Sequence, residues 1–147
     1  DFIPQVIGYE AADADLSKGD GNTMSIVVRL TTASEKNTCM LTGDATNIVL
    51  DCMVDRYGAE YLDSDIVTTP HHAHNRDSYR ARNATIKFYD AVKPDILVVT
   101  STTMSKFTPT NKYPYEVNVH VLKTYDPEIY LMNEVRLISL TTLKEIK

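Results

Sequence analysis

The chain has 147 residues, 43% of them hydrophobic, enough for one domain with an ordinary core and without the composition of a disordered polypeptide. A formal net charge of -5 argues against a general affinity for nucleic-acid backbone, although a metal-centred site would still handle a phosphate locally. No run approaches the roughly 20 apolar residues of a membrane span, and the amino terminus lacks the basic-then-apolar signature of a signal peptide, so the chain reads as soluble with no membrane contact of its own.

Asp1 to Glu10 starts without an initiator Met, which points to a chain cut or processed from a longer protein. Ala11 to Asn22 is rich in Asp, Gly and Ser, so residues 1–21 read as an amino-terminal extension or linker before a domain spanning 22–147. Met24 to Leu30 is expected to be a strand, with Met24, Ile26, Val28 and Leu30 on one face. The polar stretch Thr32 to Asn37 turns it back into an antiparallel neighbour, Thr38 to Gly43, which stops abruptly on Gly43-Asp44. Between Thr46 and Tyr57, Ile48, Val49, Cys52, Met53 and Val54 stand at helical spacing, and Gly58 follows where a C-cap belongs. Ile66 to Thr69 is the next strand. Pro70 ends it, and His71, His72 and His74 follow, three of the chain's four histidines.

Asn83 is a candidate N-cap for a helix carrying Ile86, Phe88, Tyr89 and Val92, which Lys93-Pro94 closes. Asp95 to Thr100 is nearly continuous in apolar residues, the pattern of a strand covered on both faces. Ser101 to Asn111 is polar and reads as a loop over the carboxyl edge of the sheet. Pro114 suits the first turn of a helix running through Val117, Val119, Val121 and Leu122, which makes His120 a partly buried helix residue. Ile129 to Met132 and Val135 to Leu140 read as a closing hairpin around Asn133-Glu134, and Thr141 to Lys147 as a polar tail. Cys39 and Cys52 have neither metal-motif spacing nor disulfide-scaffold density; both read as small buried apolar residues, and the redox compartment stays open.

The histidine cluster asks for chemistry, because imidazole is the commonest side-chain metal ligand and titrates near neutrality. A solvated loop with a chance run of histidines is the competing reading. The stretch upstream favours chemistry: Thr38 to Gly43, the helix and Ile66 to Thr69 form a strand–helix–strand unit, and a right-handed crossover between parallel strands brings both carboxyl ends to one edge. Neighbouring strands lie roughly 4.8 Å apart, so Asp44 and His71 or His72 are expected close enough to share a metal. The fold class expected is α/β, a mixed sheet with the helices of Thr46 to Tyr57 and Asn83 to Val92 on one face.

Four stretches then carry a resemblance: Asn22 to Leu30, Met40-Leu41-Thr42-Gly43-Asp44, Asp65-Ile66-Val67 leading to Pro70-His71-His72, and Phe88 to Pro94 with the apolar strand after it. In order and spacing they resemble the carboxyl-terminal half of a metallo-β-lactamase-superfamily hydrolase domain, closest to the branch found in competence-type DNA-uptake proteins. That family folds as an α/β/β/α sandwich of two similar halves, with one or two metal ions, usually zinc, at the edge between the sheets. By resemblance Asp44 matches the acidic ligand that bridges two metals, and His71 or His72 the last histidine ligand. Zinc there would lower the pKa of bound water to about 7 for attack on a phosphodiester, ester or amide.

Two departures stand out. Ala73-His74-Asn75 replaces the Gly-Ser that usually follows the paired histidines, and the His-x-His-x-Asp-His motif of the amino-terminal half is absent. The resemblance therefore implies half of a zinc hydrolase, inactive alone, whose parent acts on a small-molecule or nucleic-acid phosphodiester and is an extracytoplasmic or membrane-linked bacterial protein. Its partner is the missing amino-terminal half or a homodimer mate, because a sheet stripped of its facing sheet leaves an apolar face to cover. Two other readings stay open: a non-catalytic binding or structural module derived from that fold, and an improvised metal site of Asp44, His71, His72 and His74 without chemistry.

Overall fold

In the computed structural model, residues 2–6, 22, 25–34, 36–73, 84–100, 116–131 and 137–146 are described. Strands β1 (Phe2–Val6), β2 (Val28–Thr32), β3 (Thr38–Leu41), β4 (Ile66–Thr68), β5 (Ile96–Val99) and β6 (Glu128–Leu131) form one sheet in the order β1-β2-β3-β4-β5-β6. β2 runs antiparallel to both of its neighbours, β1 and β3, and β3 to β6 are parallel. Helices α1 (Asn47–Leu62), α2 (Ile86–Val92) and α3 (Glu116–Tyr125) make the three crossovers between the parallel strands. The protein is thus α/β with a mixed sheet, as its sequence pattern requires.

Strand order never reverses from β3 to β6, so successive crossovers of one hand must all pass over the same face. The core follows that rule. Met40, Val67, Leu97 and Val99 point to one side and are buried with Val49, Leu50 and Met53 of α1, Phe88, Tyr89 and Val92 of α2, and Val121 of α3. The alternate residues Cys39, Ile66, Ile96, Val98 and Tyr130 point to the other side, where no helix of the described residues lies. All four residues of β5 are buried because both faces of this central strand are covered, which explains its unbroken apolar run.

Cover on the second face comes from a hairpin, β7 (Leu137–Ser139) and β8 (Lys144–Ile146). Asn37 anchors it: its amide donates to the carbonyls of Leu140 and Thr141, each at 2.8 Å, tying the hairpin to the β2–β3 turn. Ile138, Leu140 and Leu143 pack down onto Ile66, Val98 and Tyr130. A cleft of about 510 Å³ remains between hairpin and sheet, lined by Leu30, Leu41, Ile66, Val98, Ile138 and Ile146 among others, with no charged side chain among its described residues.

Several boundaries differ from the sequence reading. The strand expected over Met24 to Leu30 runs instead from Val28 to Thr32; Met24 lies outside the described residues and Ile26 is 66% exposed. Thr31 and Thr32 extend the strand because the Thr32 N–H bonds the Asn37 carbonyl at 3.0 Å, setting the hairpin register. β3 ends at Leu41 rather than Gly43, since Thr42 turns its N–H to Thr68 Oγ1 at 2.9 Å and its hydroxyl to the Thr68 carbonyl at 2.8 Å. β4 ends at Thr68, one residue short of the expected Thr69. α1 does not stop at Tyr57: Gly58 interrupts it with φ 76° and ψ 161°, and one more turn then buries Leu62.

α2 takes Thr85 as N-cap, its hydroxyl accepting from the Phe88 N–H; Asn83 and Pro114 lie outside the described residues. The expected closing hairpin of Ile129 to Met132 with Val135 to Leu140 is wrong. Residues 128–131 join the main sheet parallel to β5, and β7 pairs instead with residues of the stretch read as a polar tail. Phe2 to Val6, read as extension, adds an antiparallel strand beside β2. Among the described residues, no helix is long and apolar enough to cross a membrane.

Candidate functional site

The carboxyl ends of β3, β4 and β5 lie side by side at one edge of the sheet, because the three strands are parallel and adjacent. Past β3, Gly43 turns the chain with φ 54°, and Asp44 follows. Past β4, Thr69 donates its N–H to the Val98 carbonyl at 2.9 Å, and a single 3-10 turn, Pro70–Ala73, carries His71 and His72. A backbone hydrogen bond of 3.0 Å from the His71 N–H to the Gly43 carbonyl staples the two loops together.

That turn is conformationally expensive. His71, His72 and Ala73 adopt φ of 48°, 57° and 61°, three successive non-glycine residues in the left-handed region. Each costs roughly 1–2 kcal/mol against ordinary backbone. Burial of Pro70 and Ala73, the staple to Gly43 and the ring contacts of His72 oppose that cost.

The His72 ring bridges two strand ends. Its Nδ1 lies 2.7 Å from the Thr100 carbonyl oxygen and 2.9 Å from the Thr100 hydroxyl, just past β5. Its Nε2 faces Asp44 Oδ1 at 3.5 Å, with both side chains roughly half exposed. The expected juxtaposition of Asp44 with the histidine turn is therefore present, and His72 is the residue set against the carboxylate. The His71 ring sits beside it, centroids 6.2 Å apart and tilted by 60°. His74 lies outside the described residues. Among the described residues no cluster of three or more His, Cys, Asp or Glu side chains is poised around a common point.

Thr100 is the contributor that sequence reasoning missed. The available signal was its position, a polar residue directly after the apolar run of β5 at the same edge as Asp44 and His72.

The remaining candidates fall elsewhere. His120 is a helix residue, as expected: on α3, its Nε2 bonds Asp90 Oδ1 of α2 at 2.6 Å, and Tyr125 donates to the same oxygen at 2.7 Å. Burial pushes the Asp90 carboxyl up, but the two hydrogen bonds and the His120 charge outweigh it and hold the group below the usual carboxylate range. Both cysteines are free. Cys39 lines the aliphatic cleft, where burial pushes its thiol up to about 11.

No protein-family profile matches the chain, and no curated protein matches it.

Proposed function

We propose that the chain is the carboxyl-terminal half of a zinc-dependent hydrolase domain of the metallo-β-lactamase type, in which Asp44 and His72 supply two of the metal ligands. The observation that carries this reading is the 3.5 Å separation of His72 Nε2 from Asp44 Oδ1. It is too long for a good hydrogen bond. It is close to the roughly 3.4 Å that separates two ligand atoms around a tetrahedral zinc with bonds of about 2.1 Å. The donor set also fits, a carboxylate and an imidazole whose other nitrogen is already engaged by the protein.

Catalytic zinc sites keep three protein ligands and an open position, so two ligands on this chain hold a metal weakly and do not assemble a nucleophile. When bound between both halves, the metal supplies a hydroxide at neutral pH for attack on a phosphodiester, ester or amide. The complementary half brings the remaining ligands and lays its own sheet over the aliphatic cleft. A second reading, a non-catalytic binding or structural module, is favoured by that cleft alone, since an apolar, uncharged sheet face suits association without chemistry.

Zinc titration by calorimetry, with hydrolysis of bis-p-nitrophenyl phosphate run in parallel, tests the proposal. Weak zinc uptake lost in Asp44→Ala and in His72→Ala, with no turnover by the isolated chain, is expected. Uptake unaffected by either substitution refutes the metal assignment. Robust turnover abolished by Asp44→Ala refutes the half-domain reading.

A further inference from the structure

We infer that Thr100 is the positioning residue of this site: it holds His72 as the Nδ1–H tautomer and so turns the Nε2 lone pair toward Asp44. A carbonyl oxygen only accepts, and Nδ1 lies 2.7 Å from the Thr100 carbonyl. Two lone pairs do not face each other at that distance, so in a neutral ring the proton sits on Nδ1. The Thr100 hydroxyl, 2.9 Å from the same nitrogen, is a second acceptor for the same N–H. One residue thus grips one ring nitrogen through both its backbone and its side chain.

The consequence falls on the other nitrogen. With Nδ1 protonated, Nε2 carries the lone pair and points it at a carboxylate oxygen 3.5 Å away. Two electron-rich atoms aimed at one small gap make a place for a cation. The strained turn gives the grip its purpose, because His72 at φ 57° has no intrinsic preference for this pose and the ring contact to Thr100 fixes it. Buried β5 supplies the rigid base: Val99 is fully buried, and Thr100 is the next residue along. The tautomer stands on these contacts alone; only the identity of the cation rests on the zinc proposal.

The experiment is long-range ¹H–¹⁵N correlation on the labelled, metal-free chain at alkaline pH, where histidine is neutral. Loss of signal in His72→Gln identifies the ring. Free imidazole side chains favour the Nε2–H form, so a dominant Nδ1–H form at His72 is the expected result. Thr100→Val keeps the carbonyl and the shape but deletes the hydroxyl; it is expected to shift the ratio several-fold toward Nε2–H, and Thr100→Ser to restore it. Zinc affinity is expected to drop about 10-fold in Thr100→Val and to recover in Thr100→Ser.

A dominant Nε2–H form in the unsubstituted chain overturns the inference whatever zinc does, as does a ratio unmoved by Thr100→Val. An Nδ1–H ring in a chain that takes up no zinc upholds the role of Thr100 and removes the metal proposal. If Thr100→Val does not fold, the tautomer of the unsubstituted chain still decides.

Discussion

Gly58→Ala discriminates sharply between two descriptions of α1. Were the helix continuous through residue 58, alanine would stabilise it by about 1 kcal/mol through higher helix propensity. The structure requires the opposite sign. Gly58 sits at φ 76° and ψ 161°, a region that residues with a Cβ scarcely enter. A Cβ built there meets no atom within 4 Å, so crowding contributes nothing and the effect is pure backbone strain. That strain costs roughly 1–3 kcal/mol. Stiffening of the unfolded chain returns about 0.4–1 kcal/mol, which leaves a net loss of about 1–2 kcal/mol. Urea denaturation followed by circular dichroism should show the midpoint falling by about 0.5–1 M, given a slope on the order of 2 kcal/mol per molar. The thermal midpoint should fall by about 3–6 °C. A midpoint unchanged or raised refutes the break at Gly58, and with it the separate final turn that delivers Leu62 to the core.

Other consequences follow from the cleft left between the hairpin and the sheet, and from the helix layer. Val28 is the cross-strand partner of Leu41, which lines the cleft, so the isolated chain should form a concentration-dependent dimer that Val28→Asp disrupts. A monomer at high concentration in sedimentation equilibrium would reject this. With its thiol pushed up to about 11 from 9.0, Cys39 should react with iodoacetamide at pH 8 about 100-fold more slowly than an open thiol. Labelling at the open-thiol rate, read by mass spectrometry, would mean that this strand face is not covered. The Asp90 carboxyl lies below its unfolded value, so its hold on His120 and Tyr125 is present above about pH 4 and is lost as pH falls through the lowered folded value. For a half-exposed pair the loss is about 0.5 kcal/mol; Asp90→Asn should remove that acid dependence from the stability profile, and an unaltered profile contradicts the clamp.

The unit from β3 through α1 to β4 was legible because each segment carried its own periodicity and parallel pairing then left one arrangement. Asp44 and the histidine turn came with it, since residues just past two adjacent parallel strands share an edge. The closing strands were not legible. Asn133-Glu134 imitates a tight turn, yet a strand that follows a helix returns parallel to the previous strand, and β6 does so. In Lys144-Glu145-Ile146 the ends are exposed and only the centre is half buried, too little alternation to announce a strand. No glycine marks the left-handed run of His71 to Ala73. Nor does the side-chain alphabet record that Thr100 meets His72 with its carbonyl as well as its hydroxyl, since the carbonyl is a group every residue possesses.

Because the strand order across the sheet repeats the order along the chain, each strand finds its partner already made when it leaves the ribosome. No strand waits for a later one to be inserted beside it, and no earlier pairing must open to admit a newcomer. Assembly therefore proceeds by accretion from β1 toward β6, each step closing a loop no longer than one crossover or linker, which keeps its entropic cost low. The growing edge is always the newest strand. Until the next crossover helix folds back, that edge is the unsatisfied surface most exposed to mispairing, and the aliphatic face beneath it is bare until the hairpin of β7 and β8, which follows β6 along the chain, closes down.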